Sequence, residues 1–200
     1  MSDTDIRTIK LQSVVLTREK QIILQEELDR YASATNWVIK MALKNHLSRP
    51  TRILEVVEEK FFEQFDRRPD YLTDVVKTAY SEMSRHRRLS RTIRSMRDKT
   101  PFFKRGRAIF SQPIVKVTDR AITLTLPDRT ELPIPYDKYS RNKTTEEINS
   151  ILMGERVKID SEGKMPVNKR YDRIRLTWNS AGFLKIDIKA NLPASDEIQR

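Results

Sequence analysis

The amino-acid sequence contains no cysteine, and its 200 residues include only two histidines and four glycines. Without cysteine the chain can form neither disulfides nor thiolate metal sites. The histidines, His46 and His86, stand forty residues apart, so we expect no zinc site and no imidazole-based catalysis. Neither GxxxxGK nor GxGxxG occurs, which excludes the usual glycine-rich phosphate loops. The sequence therefore predicts a protein with no metal and no other cofactor.

Long apolar segments are also missing from the sequence. No run of 18 or more apolar residues occurs, and the N-terminal MSDTDIRTIK lacks the apolar core of a signal peptide. The absence of cysteine suits a reducing compartment. We therefore expect a soluble, cytoplasmic protein with no membrane partner.

The positive charge of the chain is concentrated in one stretch. The net charge is +11, and residues 85–107, which we call the arginine segment, hold ten cations against one acid, Asp98, a net +9. The ten cations are Arg85, Arg87, Arg88, Arg91, Arg94, Arg97, Lys99, Lys104, Arg105 and Arg107. A merely solvated surface normally mixes charges of both signs, so this pattern favours contact with RNA or DNA. A solvated helix face is the alternative interpretation.

Within the arginine segment, apolar and basic positions recur at helical spacing. The apolar positions are Leu89, Ile93 and Met96, and the arginines are Arg88, Arg91, Arg94 and Arg97. This pattern predicts a helix that continues unbroken to Arg97, with one apolar face and one arginine face. Because guanidinium groups donate in a planar fork that suits phosphate oxygens, a row of them matches a nucleic-acid backbone.

Two aromatic residues, Phe102 and Phe103, follow the predicted helix directly after Pro101. Two roles fit them equally well: stacking on nucleic-acid bases, or core packing that fixes the loop to its neighbours. The predicted nucleic-acid site consists of these two phenylalanines and the ten cations.

The rest of the chain divides into a helical and a strand-rich part. Residues 6–16 read as a strand, 17–47 as one long helix, and a second helix is predicted with Thr51 as its cap. A third helix runs from about residue 70 into the arginine segment. After Pro101 the period changes to two, with strands predicted at residues 114–117, 122–126, 132–134, 156–160, 171–178 and 183–190. A short helix at residues 144–154 is predicted to begin with a capping box, Thr144 to Glu147.

This order predicts an α+β fold, in which a small oligonucleotide-binding-like β-barrel carries a three-helix insertion after its first strand. The predicted parts are the first barrel strand at residues 1–16, the helical lobe at 17–99, the rest of the barrel at 100–193, and a tail at 194–200.

The order of segments resembles the front part of TnpB, the RNA-guided nuclease family of insertion sequences that is related to type V CRISPR effectors. The matching pieces are LTREKQ at 16–21, YASATNW at 31–37, the helix through 75–83, PFFK at 101–104, and IRLTWNSAGFLKIDIKANLP at 174–193. The resemblance implies a wedge-like oligonucleotide-binding barrel with a helical recognition lobe inserted after its first strand. It also implies that this part holds guide RNA and target DNA.

The sequence departs from that family at the nuclease domain. In the family this domain follows the last barrel strand and brings several carboxylates and a zinc-binding cysteine cluster, whereas this chain ends at Arg200 without cysteine. Two-metal nucleases need several converging carboxylates. Asp187 alternates with apolar residues, among them Ile186 and Ile188, and we interpret it as an outward charge on a barrel strand. We therefore expect no catalysis.

These observations predict a non-catalytic nucleic-acid-binding protein, associated with the nucleoid or with ribonucleoprotein particles. It would bind a sugar-phosphate backbone between the arginine helix and the barrel. Structured RNA is the first expected partner, and duplex DNA is the second. Two alternatives stay open. The chain is a subunit or remnant of a split RNA-guided nuclease that pairs with a separately encoded nuclease chain, or it is a structural component of a ribonucleoprotein such as the ribosome.

Overall fold

The computed structural model of the protein describes residues 4–154, 156–157, 167–168 and 170–193. The helices are α1 (Arg18–Lys44), α2 (Pro50–Gln64), α3 (Pro69–Thr92), α4 (Lys138–Lys143) and α5 (Thr145–Leu152), with a 3₁₀ turn at Arg94–Met96. The strands are β1 (Thr4–Gln12), β2 (Arg107–Ser111), β3 (Val115–Val117), β4 (Ala121–Thr125), β5 (Glu131–Pro135), β6 (Arg156–Val157), β7 (Val167–Asn168), β8 (Tyr171–Asn179) and β9 (Phe183–Pro193).

Proline begins two of the three long helices. Pro50 and Pro69 take the first turn of α2 and α3, where the missing N–H of proline has no intrahelical partner to lose. The predicted cap at Thr51 is therefore wrong: Arg49 is the capping residue, and its side chain makes no capping hydrogen bond. The long helix predicted after the first strand is confirmed as α1.

The helix α3 ends earlier than its sequence pattern predicts. Its last residue is Thr92, and Ile93 is extended, with φ −106° and ψ 110°. The prediction of an unbroken helix to Arg97 is therefore wrong. Neither proline nor glycine stands at this point. Burial along α3 ends at Met83, and because helices in proteins are stabilised mainly by packing, the last turns have little to extend them.

The first strand belongs to a sheet built mostly from the end of the chain. The four-stranded sheet has the order β1-β9-β8-β2, and β1 pairs antiparallel with β9 from Thr4 opposite Pro193 to Gln12 opposite Lys185. The helices α1 to α3 lie in the chain between β1 and β2, which are the two edge strands of this sheet. The fold is therefore α+β, with the three helices inserted after the first strand.

Two further antiparallel sheets follow, one with the order β3-β4-β5 and one formed by β6 and β7. A single bridge between Ser13 and Tyr136 links the end of β1 to the end of β5, and Val14 N–H donates to the Pro135 carbonyl at 3.0 Å. Within the described ranges no sheet closes into a barrel. Of the strand predicted at residues 156–160, only Arg156–Val157 is observed, and the remainder lies outside the described residues.

The predicted capping box at Thr144 is not formed. The Thr144 hydroxyl donates to the Ser140 carbonyl at 2.9 Å, and its side chain makes no capping hydrogen bond to α5. Sequence patterns also missed α4, whose cap is Asp137. The Asp137 carboxylate accepts from the Ser140 N–H at 2.8 Å, and this bond holds the pKa of Asp137 below its usual value.

The chain forms two compact units, one of residues 22–109 and the other of the residues before and after them. The helical unit reaches Ile109, ten residues past the boundary that the sequence pattern places after Lys99. In the sheet-containing unit, alternate residues of β9 are buried, including Leu184, Ile186 and Ile188. This alternation leaves the polar side chains of the strand on the outer face.

Candidate nucleic-acid interface

The second half of α3 leaves the core of the helical unit. No residue between Ser84 and Phe102 is buried. The arginine segment therefore lies on the surface of this unit for most of its length.

All ten cations of the arginine segment are exposed, and so is Asp98. Among the described residues, the one ion pair made by these cations joins Arg85 Nη2 to Glu82 Oε2 at 3.5 Å, and the Arg85 side chain is still 60% exposed. An exposed ion pair of this kind contributes about 0–1 kcal/mol to stability. Arg85 can therefore exchange Glu82 for another anion at little cost. The positive charge of the segment is thus accessible and nearly uncompensated by neighbours.

The four arginines predicted to form one row do not lie on one helix. Arg88 and Arg91 belong to α3, Arg94 begins the 3₁₀ turn, and Arg97 follows it. The Arg97 Nε–H donates to the Ser90 carbonyl at 3.3 Å, so this side chain lies against the last turn of α3. A cation there satisfies a free carbonyl and opposes the negative end of the helix dipole. The predicted single arginine face is therefore wrong.

The predicted apolar stripe is divided in the same way. Leu89 and Met96 are half-buried and line a common pocket, whereas Ile93 is 44% exposed at the point where the helix ends. The chain reverses at the 3₁₀ turn and brings Met96 back towards Leu89. The helical spacing of these apolar residues therefore arises because Leu89 and Met96 approach each other across a turn, and not because they share one continuous helix face.

Phe102 and Phe103 have opposite surroundings. Phe103 is 5% exposed, and its ring lies 5.8 Å from that of Tyr31. The side chain of Asn36 makes two hydrogen bonds to the backbone of Phe103. The Phe103 N–H donates to Asn36 Oδ1 at 2.8 Å, and Asn36 Nδ2 donates to the Phe103 carbonyl at 3.0 Å. Base stacking is therefore wrong for Phe103, and core packing is confirmed. Phe102 is 61% exposed and its ring is accessible.

The residues that position this loop were not found from the sequence. The Tyr31 hydroxyl lies 2.7 Å from Thr78 Oγ1 and 2.9 Å from the Ile109 carbonyl, and so ties α1 to α3 and to the start of β2. Tyr31 and Asn36 meet partners more than forty residues away along the chain. An asparagine at the edge of the apolar face of α1 is a signal in the sequence that points to such a partner.

The remaining basic residues of the segment are presented by the anchored loop. Lys104, Arg105 and Arg107 are exposed, and Gly106 between them has φ +71°, a conformation that favours glycine. The loop is fixed before these cations at Phe103 and after them at Ile109. Their backbone is therefore held in place while their side chains remain free to bind.

The outer face of the four-stranded sheet carries a second group of charges, in the other unit. Asp187 on β9 is half-buried, and its cross-strand neighbours are Lys10 on β1 and Arg175 on β8. Because it alternates with buried Ile186 and Ile188, its interpretation as an outward charge is confirmed. Lys185 and Lys189 lie on the same face of β9. Asp187 therefore stands among four cations.

Buried charge is found instead inside the helical unit. Glu27 accepts from Arg30 Nη1 at 2.8 Å, and Arg68 Nη2 lies 3.5 Å from its other oxygen. Burial raises the pKa of Glu27 although both arginines act to lower it. In the part of the chain that the structure describes, no three His, Cys, Asp or Glu side chains are grouped so as to hold a metal ion.

No protein-family model matches the sequence, and no curated protein gives a significant match to it. In the described residues no helix has both the length and the apolar character needed to cross a bilayer.

Proposed function

We propose that the protein is a non-catalytic nucleic-acid-binding protein whose arginine segment holds a sugar-phosphate backbone. The observation that carries this proposal is the exposure of all ten cations with a single ion pair among the described residues. Cations that neutralise phosphates release condensed counterions, and this release favours binding without regard to base sequence. A surface that served solubility alone would mix in acids, and this one holds only Asp98.

The geometry offers two sets of phosphate ligands in the helical unit. One set lies on the end of α3 and the 3₁₀ turn, and the other lies on the loop anchored by Phe103. An anchored backbone loses less conformational entropy when it binds than a mobile one would. Most of these cations are arginines, whose forked donors contact phosphate in two places at once.

We also propose a more detailed architecture for the sheets and a relationship to the TnpB family. The strands are proposed to form an oligonucleotide-binding-like barrel of the kind that the resemblance to TnpB implies. Two links between the sheets support it: the bridge from Ser13 to Tyr136, and the bond in which the Val117 N–H donates to the Tyr171 hydroxyl at 3.2 Å. Structured RNA is the proposed first partner and duplex DNA the second.

The test compares the salt dependence of binding between two variants of equal charge. Affinity for an RNA hairpin and for duplex DNA is measured over a series of salt concentrations. The test variant replaces four exposed arginines of the segment by alanine: Arg87, Arg88, Arg91 and Arg94. The control variant removes four exposed cations outside the segment: Arg18, Lys40, Lys60 and Arg67.

If all four arginines contact phosphates, the negative slope of log affinity against log salt should become shallower by about 3.6 for a duplex, or by about 2.8 for single strands. The control variant should keep a slope close to that of the wild type. Equal slopes in all three proteins, with normal melting, would show that the segment is only a solvated surface. An equal loss in both variants would show that net charge alone is responsible.

A further inference from the structure

A small pocket lies inside the arginine segment, between α3 and the chain that returns after the 3₁₀ turn. Its volume is about 140 Å³. Its lining consists of four residues of α3, which are Glu82, Arg85, His86 and Leu89, and of five residues after the helix, which are Met96, Lys99, Thr100, Pro101 and Phe102. Pockets for drug-sized ligands and cofactors usually measure about 300–1,000 Å³, so this one suits a single small ring system.

The pocket combines an apolar interior with an aromatic wall. Leu89 and Met96 are half-buried within it, and Phe102, which also lines it, exposes 61% of its surface. An exposed phenylalanine that is not used for packing is a suitable platform for a flat ring, since every nucleobase presents a π-face.

One of the residues that line the pocket, His86, has a side-chain polar atom without a partner. His86 Nε2 is shielded from solvent, and in the described structure no hydrogen bond reaches it. A buried polar atom left without a hydrogen bond is costly, and a ligand that supplies the bond removes that cost. A nucleobase edge offers both donors and acceptors and can pair with either state of the imidazole nitrogen.

The charges around the pocket suit the two phosphates that flank a base. Arg85 and Lys99 both line it, and both are exposed. Glu82, the acid of the pocket, already pairs with Arg85 at 3.5 Å. A flat ring between two cations matches a nucleotide within a strand better than it matches an uncharged aromatic molecule.

We infer that this pocket receives one unstacked base of a single-stranded nucleic-acid segment, stacked on Phe102 and hydrogen-bonded to His86. The inference rests on the proposed nucleic-acid binding and adds to it a single-stranded or loop substrate. In an intact duplex the base would first have to leave the stack, which opposes binding. Single-stranded RNA and single-stranded DNA share this chemistry, and parallel measurements with each will separate them.

The experiment uses short single-stranded oligonucleotides, each as RNA and as DNA, in a normal form and in a form with one abasic position. Phe102→Ala should weaken binding of the normal strands by about 5- to 150-fold, the range measured when a stacking aromatic is removed. It should leave abasic strands and the salt slope unchanged. Tyr139→Ala, which removes an exposed aromatic ring from the other unit, is the matched control and should change neither.

A second variant tests the hydrogen bond separately from the stacking. His86→Ala should lower affinity by about 2- to 10-fold for the preferred base and reduce discrimination between bases. His86→Gln, which keeps a donor and an acceptor, should restore part of the discrimination. Melting curves will check that each variant is folded.

The outcomes separate this inference from the proposed function. If Phe102→Ala binds normal strands as the wild type does, or loses affinity equally for normal and abasic strands, the base pocket is refuted while backbone binding stands. If the wild type binds no oligonucleotide, both proposals fail. A larger effect with RNA than with DNA would identify RNA as the ligand that fits this pocket, and the reverse would identify DNA.

Discussion

Arg68 is expected to be the most sensitive charged position for the stability of the helical unit. Its Nε donates to both Asp66 oxygens, at 2.9 and 3.1 Å, and its Nη2 lies 2.7 Å from Asp66 Oδ2. The same Nη2 is 3.5 Å from Glu27 Oε1, and the guanidinium stands 5.0 Å from the centre of the Tyr71 ring. One side chain therefore serves two carboxylates and an aromatic ring.

The magnitude follows from the burial of these partners. The side chains of Asp66 and Glu27 are only 1% and 2% exposed, against 18% for Arg68. Glu27 keeps Arg30 when Arg68 is removed, but Asp66 loses the arginine that contacts both of its oxygens. Breaking a buried pair by removing one partner costs about 3–5 kcal/mol. Arg68→Met, which keeps an apolar stem of similar length, should therefore lose about that amount.

The assay is denaturation by urea and by heat at neutral pH. For a chain of this size the expected loss lowers the melting temperature by about 6–20 °C. Arg67→Met is the control, because Arg67 is adjacent and exposed, and it should change the free energy of unfolding by less than about 0.5 kcal/mol. The double variant Arg68→Met with Asp66→Asn should recover part of the loss, since the buried charge is then gone as well. A cost for Arg68→Met no larger than that for Arg67→Met would refute the reasoning.

Two further predictions concern Glu27 and Asp187. Because burial raises the pKa of Glu27 above its ordinary value of 4.5, its protonation stabilises the fold, and this contribution is complete below pH 4.5 and is lost as the pH rises through the higher folded pKa. In urea titrations from pH 4 to 8, Glu27→Gln should therefore gain stability relative to the wild type as the pH rises, and the opposite trend would contradict the assigned direction. With Mg²⁺ or Mn²⁺ the purified protein should leave RNA and DNA intact, because Asp187 is an outward carboxylate among cations. Cleavage by the wild type that Asp187→Ala abolishes would overturn the non-catalytic proposal.

Local pattern was sufficient for much of the fold. The 3.6-residue spacing of buried residues such as Leu24, Leu28 and Tyr31 defined α1, because an amphipathic helix repeats its apolar face with the geometry of the helix itself. The alternation around Asp187 identified both its strand and the face on which it lies. The location of the charge in the arginine segment needed no structure at all.

Helix ends and caps were predicted less well. Thr51 and Thr144 both have the residue type of a cap, yet neither side chain makes the expected bond. A proline begins α2 before Thr51, and Thr144 ends the preceding helix α4, to which its hydroxyl donates. The end of α3 at Thr92 has no proline or glycine to mark it. Periodicity tells which face of a helix is apolar, but it does not tell where packing stops supporting the helix.

The sequence by itself therefore determined most of the helices and strands and the location of the positive charge, but neither α4 nor β2. Only the tertiary structure decided that Arg97 turns back onto α3, that Asn36 clamps Phe103 into the core while Phe102 stays exposed, and that a pocket forms beside His86. The physical reason is distance along the chain. Side-chain periodicity and turn chemistry act over a few residues, whereas the bond between Asn36 and Phe103 joins positions 67 residues apart and exists only after the chain has folded.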